Sequence, residues 1–260
     1  MNPINLTDGY KVDHRRQYPD GTEYVYSNLT ARKSRVPGSD GIVFFGLQYF
    51  IERYLQEEFN QNFFKRPKHE VVAAYARRIN NYLGPNAVGT SHIAELHDLG
   101  YLPIEIYALP EGTYVPCGVP CLTIENTNPK FFWLTNYLET LMSVTLWMPC
   151  TSATTAWRYR KLLDSYADAT GGDSAFVSWQ GHDFSFRGMA GLEAAQMSGA
   201  AHLLSFAGTD TIPAIDFLEK YYQADSDKYL IGGSVPASEH AVICMGTQDG
   251  EIDTFKRMIT

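Results

Sequence analysis

From Gly172 onwards the chain keeps one rhythm: a short apolar run, a loop of polar side chains, then a stretch with helical spacing. The runs are "AFVSW" and "HLLSF"; the loops are "HDFSFRG" (182–188), "AGTDT" (207–211) and "GGSVPASEH" (232–240). Helical stretches "LEAAQMSGAA" and "AIDFLEKYYQ" separate them, and a last helix follows. No other feature constrains the fold as much, because a βα alternation needs a parallel sheet covered by helices. In such sheets functional side chains sit in the loops beyond the carboxyl ends of the strands. The fold class is therefore α/β, with residues 172–260 as its βα part.

Residues 1–171 read differently. "TDGYKVDHRRQYP" predicts a short helix entered through Thr7 or Asp8 and stopped before Pro19, and "TEYVYSNLTARKSR" alternates like a strand. "IVFFGLQYFIERYLQEEF" and "HEVVAAYARRINNYLG" have helical spacing. Between Leu102 and Thr127 the runs "IEIYAL", "TYVPCG" and "CLTIENT" predict a small β element. "FFWLTNYLETLMSVTLWMP" predicts a helix broken at Pro149, and "SATTAWRYRKLLDSYADATGG" a second one closed by glycines.

With 260 residues and 45% hydrophobic content the chain can bury a sizeable core, which excludes disorder. Its net charge of -8 repels phosphate backbones and anionic lipid, so nucleic acid and membrane surfaces are not expected partners. Four cysteines without a CxxC pair make neither a zinc framework nor a disulfide scaffold, and cytosolic thiols are expected. The N-terminal stretch lacks the apolar core of a signal peptide, and no run is long enough to span a bilayer. Neither a P-loop nor a GxGxxG fingerprint is present.

Each loop admits a structural and a chemical reading. In "HDFSFRG", Asp183 caps a helix while Phe184 and Phe186 fill a core, or else an aromatic face stacks on a flat ligand while Arg187 meets a phosphate or carbonyl. In "AGTDT", Asp210 or Thr211 is an N-cap, or Asp210 accepts a hydrogen bond from a ligand amide. In "SVPASEH", Glu239 next to His240 is structural, or orients an imidazole for proton transfer or attack on phosphate. Arg32, Lys33 and Arg35 form a solvated basic face or bind phosphate, and Tyr10 is a surface ring or a stacking one.

Taken in order, "TDGYKVDHRRQYP", "VYSNLTARKSR", "VFFGLQYFIERYL", "PEGTYVPCGVPCLTIENTNPKFFWLTNYLET", "HDFSFRG", "FAGTDT" and "SVPASEH" resemble the nicotinamide phosphoribosyltransferase family, which is of phosphoribosyltransferase type II. The resemblance implies an N-terminal α/β domain (1–171) with dimer-interface segments, joined to the first part of an irregular α/β barrel (172–260). It also implies transfer of phosphoribosyl from phosphoribosyl pyrophosphate to nicotinamide, by a homodimer with shared active sites. Phe184 would stack on one face of nicotinamide and Tyr10 of the partner subunit on the other. Asp210 would accept from the carboxamide, with the partner subunit's Asp8 near it. Arg187 would contact the carbonyl or phosphate, and Arg32 the pyrophosphate across the interface. His240, aided by Glu239, would be the group phosphorylated by ATP, near magnesium.

The family's "HDFGYRG" is "HDFSFRG" here, so Ser185 and Phe186 replace glycine and tyrosine while the stacking Phe184 is kept. The resemblance ends in the helix after His240, so a C-terminal half carrying the later barrel strands is an expected partner. A nicotinate phosphoribosyltransferase, and a nicotinamide-binding fragment without catalysis, are the rival readings.

Overall fold

The computed structural model describes residues 1–35 and 37–259. After a single 3-10 turn, Pro3–Asn5, comes a longer 3-10 helix, Gly9–Arg16, preceded by Asp8 in extended conformation. Strand β1 (Tyr26–Thr30) lies at one edge of a three-stranded antiparallel sheet, with β5 (Pro120–Asn126) in the middle and β3 (Ile104–Ala108) at the far edge. A second antiparallel pair joins β2 (Gly41–Val43) to β4 (Tyr114–Pro116). The helical spacing expected from Ile42 onwards therefore starts later than predicted, because the first residues of that stretch are taken by the ladder with β4. Helix α1 (Leu47–Tyr49) then continues into wider, π-wound segments, Phe50–Glu58 and Asn60–Phe64.

Helices α2 (Lys68–Leu83) and α3 (Ser91–Leu99) follow, each closed by a glycine. After α4 (Leu134–Tyr137) comes α5 (Glu139–Thr170), a 32-residue helix, hence about 48 Å of rod. The break expected at Pro149 does not occur. A proline inside a helix forfeits one hydrogen bond and crowds the preceding turn, a cost of about 3 kcal/mol. Here Pro149 is buried against Gly46, at the start of α1, and packing on both sides holds the helix together. A Cβ at Gly46, whose φ is +107°, would stand 2.9 Å from the proline ring.

The βα part is built from α6 (Leu192–His202), α7 (Ile212–Tyr222), α8 (His240–Cys244) and α9 (Thr247–Ile259). Its strands are short: β6 (His182–Asp183) pairs in parallel with β7 (Gly208–Thr209), and Gly233 bridges to Gly208 on the other side, also in parallel. The two apolar runs expected as strands are helical or turned. Residues Phe176–Trp179 form a 3-10 turn, and the Ala-rich α6 runs on into His202 before a turn. Those runs bury Val177 and Phe206 in the core, and the ladder forms a few residues later, where Gly208 lets two backbones meet.

Three clusters make up the core. One lies among the N-terminal helices around Phe59, Phe63, Tyr75, Ile93 and Trp133. Another seals the three-stranded sheet against α5 through Phe44, Phe50, Ile124 and Leu146. The third packs Phe45, Tyr49 and Ala153 on Met197, Ala200 and Phe217, so α6 and α7 are seated on α1 and α5. Each fully buried aromatic or leucine adds on the order of 2 kcal/mol to that seating. A further clasp comes from Tyr49 and Tyr54, whose hydroxyls both donate to Glu193 Oε1 at 2.7 and 2.6 Å. Residues five apart share a face only in the i→i+5 winding of a π-helix, which is how both phenols reach one oxygen at the start of α6. Among the described residues no helix is long and apolar enough to cross a membrane.

Candidate active site

The three parallel segments aim their carboxyl ends the same way, and the loops that follow them converge. Asp183 ends β6 and orders the first loop: its Oδ1 accepts the Ser185 amide at 2.9 Å, while its backbone carbonyl accepts the Asp210 amide at 2.9 Å. It thus makes a tight turn and caps no helix. Beyond it, Phe184 and Phe186 are exposed, so they fill no core. The second loop is ordered by Thr209, whose hydroxyl accepts the Thr211 amide at 3.0 Å. Thr211 stands at the N-cap of α7 without a side-chain capping bond, and Asp210 is left to face outward.

A cavity of about 640 Å³ opens here, lined by Phe184, Phe186, Arg187 and Asp210. That volume is in the range that takes small organic ligands. The His182 ring lies against the bare backbone of Gly208 and stacks on Phe184, with centroids 4.3 Å apart and planes at 28°. Its Nε2 is 2.7 Å from Asp210 Oδ1, and Ser234 Oγ donates to the same oxygen at 3.0 Å. An ionised carboxylate only accepts, so His182 carries its proton on Nε2. The His182 hydrogen bond first, then that of Ser234, hold the Asp210 carboxyl below the ordinary carboxylate range, and the charge of Arg187 works in the same direction. The site therefore presents a fixed anion, a guanidinium and an aromatic face around one space.

Phe184, Arg187 and Asp210 are thus brought together. The other expected residues stand elsewhere on the chain. Tyr10 is exposed on the Gly9–Arg16 3-10 helix, edge-on to His14, and Asp8 Oδ2 accepts the Thr140 hydroxyl at 2.8 Å. Arg32 is exposed just after β1. Glu239 precedes α8 and His240 begins it, both exposed, with His240 Nε2 3.3 Å from Cys244 Sγ. None of these five lines the cavity. Among the described residues no three His, Cys, Asp or Glu side chains converge as ligands for a metal ion. The sequence presents His182 and Ser234 only as members of their loops; the glycines next to them, Gly208 across the ladder from His182 and Gly233 just before Ser234, are recognised as such only in the structure.

Residues 2–106 match a family model described as nicotinamide phosphoribosyltransferase, N-terminal domain, and residues 179–260 one described as the nicotinate phosphoribosyltransferase family. A nicotinamide phosphoribosyltransferase of Acinetobacter baylyi is 53% identical over the whole chain. The chain is a homologue of the nicotinamide phosphoribosyltransferases. Proteins of that name from Xanthomonas campestris pv. campestris and Mycoplasma pneumoniae are 33% and 32% identical over 100% and 97% of the chain. The chain spans about half the length of these relatives: 52%, 52% and 55%. In fold, it is similar to the crystal structure of human nicotinic acid phosphoribosyltransferase, with a TM-score of 0.59 and 19% identity over 92% of this chain and 40% of that one. That likeness in fold agrees with short parallel strands opening a βα assembly.

Proposed function

We propose that this chain supplies the nicotinamide-binding portion of a nicotinamide phosphoribosyltransferase, which moves phosphoribosyl from phosphoribosyl pyrophosphate to the ring nitrogen of nicotinamide and releases pyrophosphate. The observation that carries the reading is the single cavity shared by Phe184, Asp210 and Arg187. A pyridine ring stacks on the exposed face of Phe184, its carboxamide N–H donates to Asp210, and Arg187 meets the carbonyl or a phosphate. Held so, the ring nitrogen needs only to be in line with the ribose carbon, and that orientation lowers the barrier by removing freedom in advance.

Asp210 also decides between amide and acid. A nicotinate carboxylate beside it meets a like charge, whereas an amide meets an acceptor. The nicotinate reading has one observation in its favour, the family-model match over 179–260. Competition between the two pyridines for the chain separates the readings, and preference for the acid defeats ours.

Tyr10, Asp8 and Arg32 lie outside the cavity of their own chain, and Tyr10 is 63% exposed. These placements support a homodimer in which Tyr10 and Asp8 of one copy face Phe184 and Asp210 of the other, with Arg32 toward the pyrophosphate. His240, exposed on α8 with Glu239 beside it, is the group we assign to phosphorylation by ATP. Magnesium, in this proposal, arrives on the oxygens of phosphoribosyl pyrophosphate, the usual mode for an ion that keeps few protein ligands. Four unpaired thiols support a reducing, cytosolic setting.

The deciding assay combines this chain with the C-terminal half of the Acinetobacter baylyi relative and measures nicotinamide mononucleotide formed from nicotinamide and phosphoribosyl pyrophosphate. Product above that of either part alone is the expected result. Nicotinamide binding with no cleavage of phosphoribosyl pyrophosphate would instead mark a binding fragment.

A further inference from the structure

Asp210 follows the central one of three parallel segments, and its two hydrogen-bond donors come from the segments on either side: His182 from β6, Ser234 from just beyond Gly233. Backbone pairing fixes both. His182 pairs with Gly208, while the Thr209 amide donates to the Gly233 carbonyl at 2.9 Å and the Gly233 amide to Ala207 at 2.8 Å. Both donors reach the same oxygen, Oδ1, and among the described residues Oδ2 accepts no hydrogen bond. A carboxylate has about four lone-pair sites shared between its two oxygens. With Oδ1 engaged twice, the plane of the group is set and Oδ2 is the acceptor left for a ligand. At the same time the His182 ring covers one face of Phe184, which leaves the opposite face for a ligand ring.

We infer that His182 and Ser234 are positioning residues that choose which oxygen of Asp210 meets the ligand amide, and that His182 also sets the ring plane of Phe184. The inference rests on the proposed function, since it bears on specificity only where Asp210 and Phe184 hold the pyridine. A carboxylate and a ring already locked in their bound geometry lose little freedom on binding, so affinity for the amide rises without any added contact to it. The same lock opposes the acid, because a carboxylate that cannot rotate away keeps its free oxygen toward the incoming anion.

The test measures nicotinamide and nicotinate binding by calorimetry on the full chain and on Asp210→Asn, Ser234→Ala, His182→Phe and His182→Gln. His182→Phe keeps a stacked ring and loses the donor; His182→Gln keeps a donor and loses the ring. Loss of a hydrogen bond to a charged group corresponds to roughly a tenfold change or more. Ser234→Ala and His182→Phe are therefore expected to lower the preference for the amide about tenfold, at unchanged melting temperature. His182→Gln should restore the preference while binding both pyridines more weakly, a pattern that a merely structural histidine does not give. If Asp210→Asn abolishes the preference while Ser234→Ala and His182→Phe keep it, the inference is overturned and the proposed function stands. If Asp210→Asn also keeps the preference, or the unaltered chain binds neither pyridine, the proposed function falls and takes the inference with it. Nitrogen-15 spectra of the ligand-free chain give an independent reading: a proton on His182 Nε2 is expected, and one on Nδ1 alone overturns the geometry whatever the variants do.

Discussion

Gly208 and His182 occupy one another's space: a Cβ on Gly208 would lie 2.6 Å from Nδ1 of the imidazole and 3.1 Å from the Gly181 carbonyl. The ring cannot stay where it is once the glycine gains a side chain, and moving it breaks both the hydrogen bond to Asp210 and the stack on Phe184. Gly208→Ala is expected to weaken nicotinamide binding about tenfold, the scale of one charge-assisted hydrogen bond. Isothermal titration of the variant checks this, and an affinity equal to that of the unaltered chain removes His182 from the site.

Phe184 is 69% exposed, so its ring contributes little to folding. Phe184→Ala should cost about 1 kcal/mol or more of nicotinamide affinity from lost stacking and area, with a melting temperature close to that of the unaltered chain. Calorimetry and a thermal scan together decide it. A large fall in melting temperature would show that the ring packs against more than a ligand.

His92, on α3, is 3% exposed between Tyr75 and Trp133, and burial together with the charge of Arg15 lowers its pKa from 6.5 to about 4. The folded chain keeps the ring neutral where the unfolded chain has already bound a proton. Stability is therefore full above about pH 6.5, falls as the pH drops from there to about 4, and levels off below, a loss of about 3 kcal/mol in all. Urea midpoints measured from pH 4 to 7 should show the slope, and His92→Leu should flatten it.

At Gly46 two constraints coincide: a φ of +107° and the Pro149 ring 2.9 Å from the place of a Cβ. Gly46→Ala is expected to destabilise the fold by about 2 kcal/mol, since both backbone strain and overcrowding oppose the new methyl group. Chemical denaturation of the variant measures it; a change within error would mean that α5 bends freely at its proline.

Much of this architecture can be read from residue order. The antiparallel sheet announces itself in the alternation of "IEIYAL" and "CLTIENT", and helix α2 in the spacing of "HEVVAAYARRINNYLG"; α3 is not expected from the sequence. The meeting of "HDFSFRG" with "AGTDT" follows from βα rhythm alone. The strands that bring those loops together do not, because two-residue ladders such as His182–Asp183 are too short to show a period of two. Apolar content then favours "AFVSW" and "HLLSF", which serve the core. Pro149 misleads for a related reason: its cost is local, while the contacts that offset it lie about a hundred residues away in sequence, and no window along the chain contains both. The parts played by His182 and Ser234 depend on which oxygen of Asp210 they touch, a matter of ångströms that spacing does not encode.

The π-wound turn between Tyr49 and Tyr54 makes the winding of this segment matter in an unusual way. Were residues 50–58 to take ordinary α-winding at unchanged length, the two phenols, five residues apart, would diverge by about 140° around the cylinder. Glu193 would keep at most one of them, and the first turn of the helix behind the aromatic loop would lose half of its tether. A change of winding too slight to break the helix would loosen the floor beneath Phe184 from more than a hundred positions upstream.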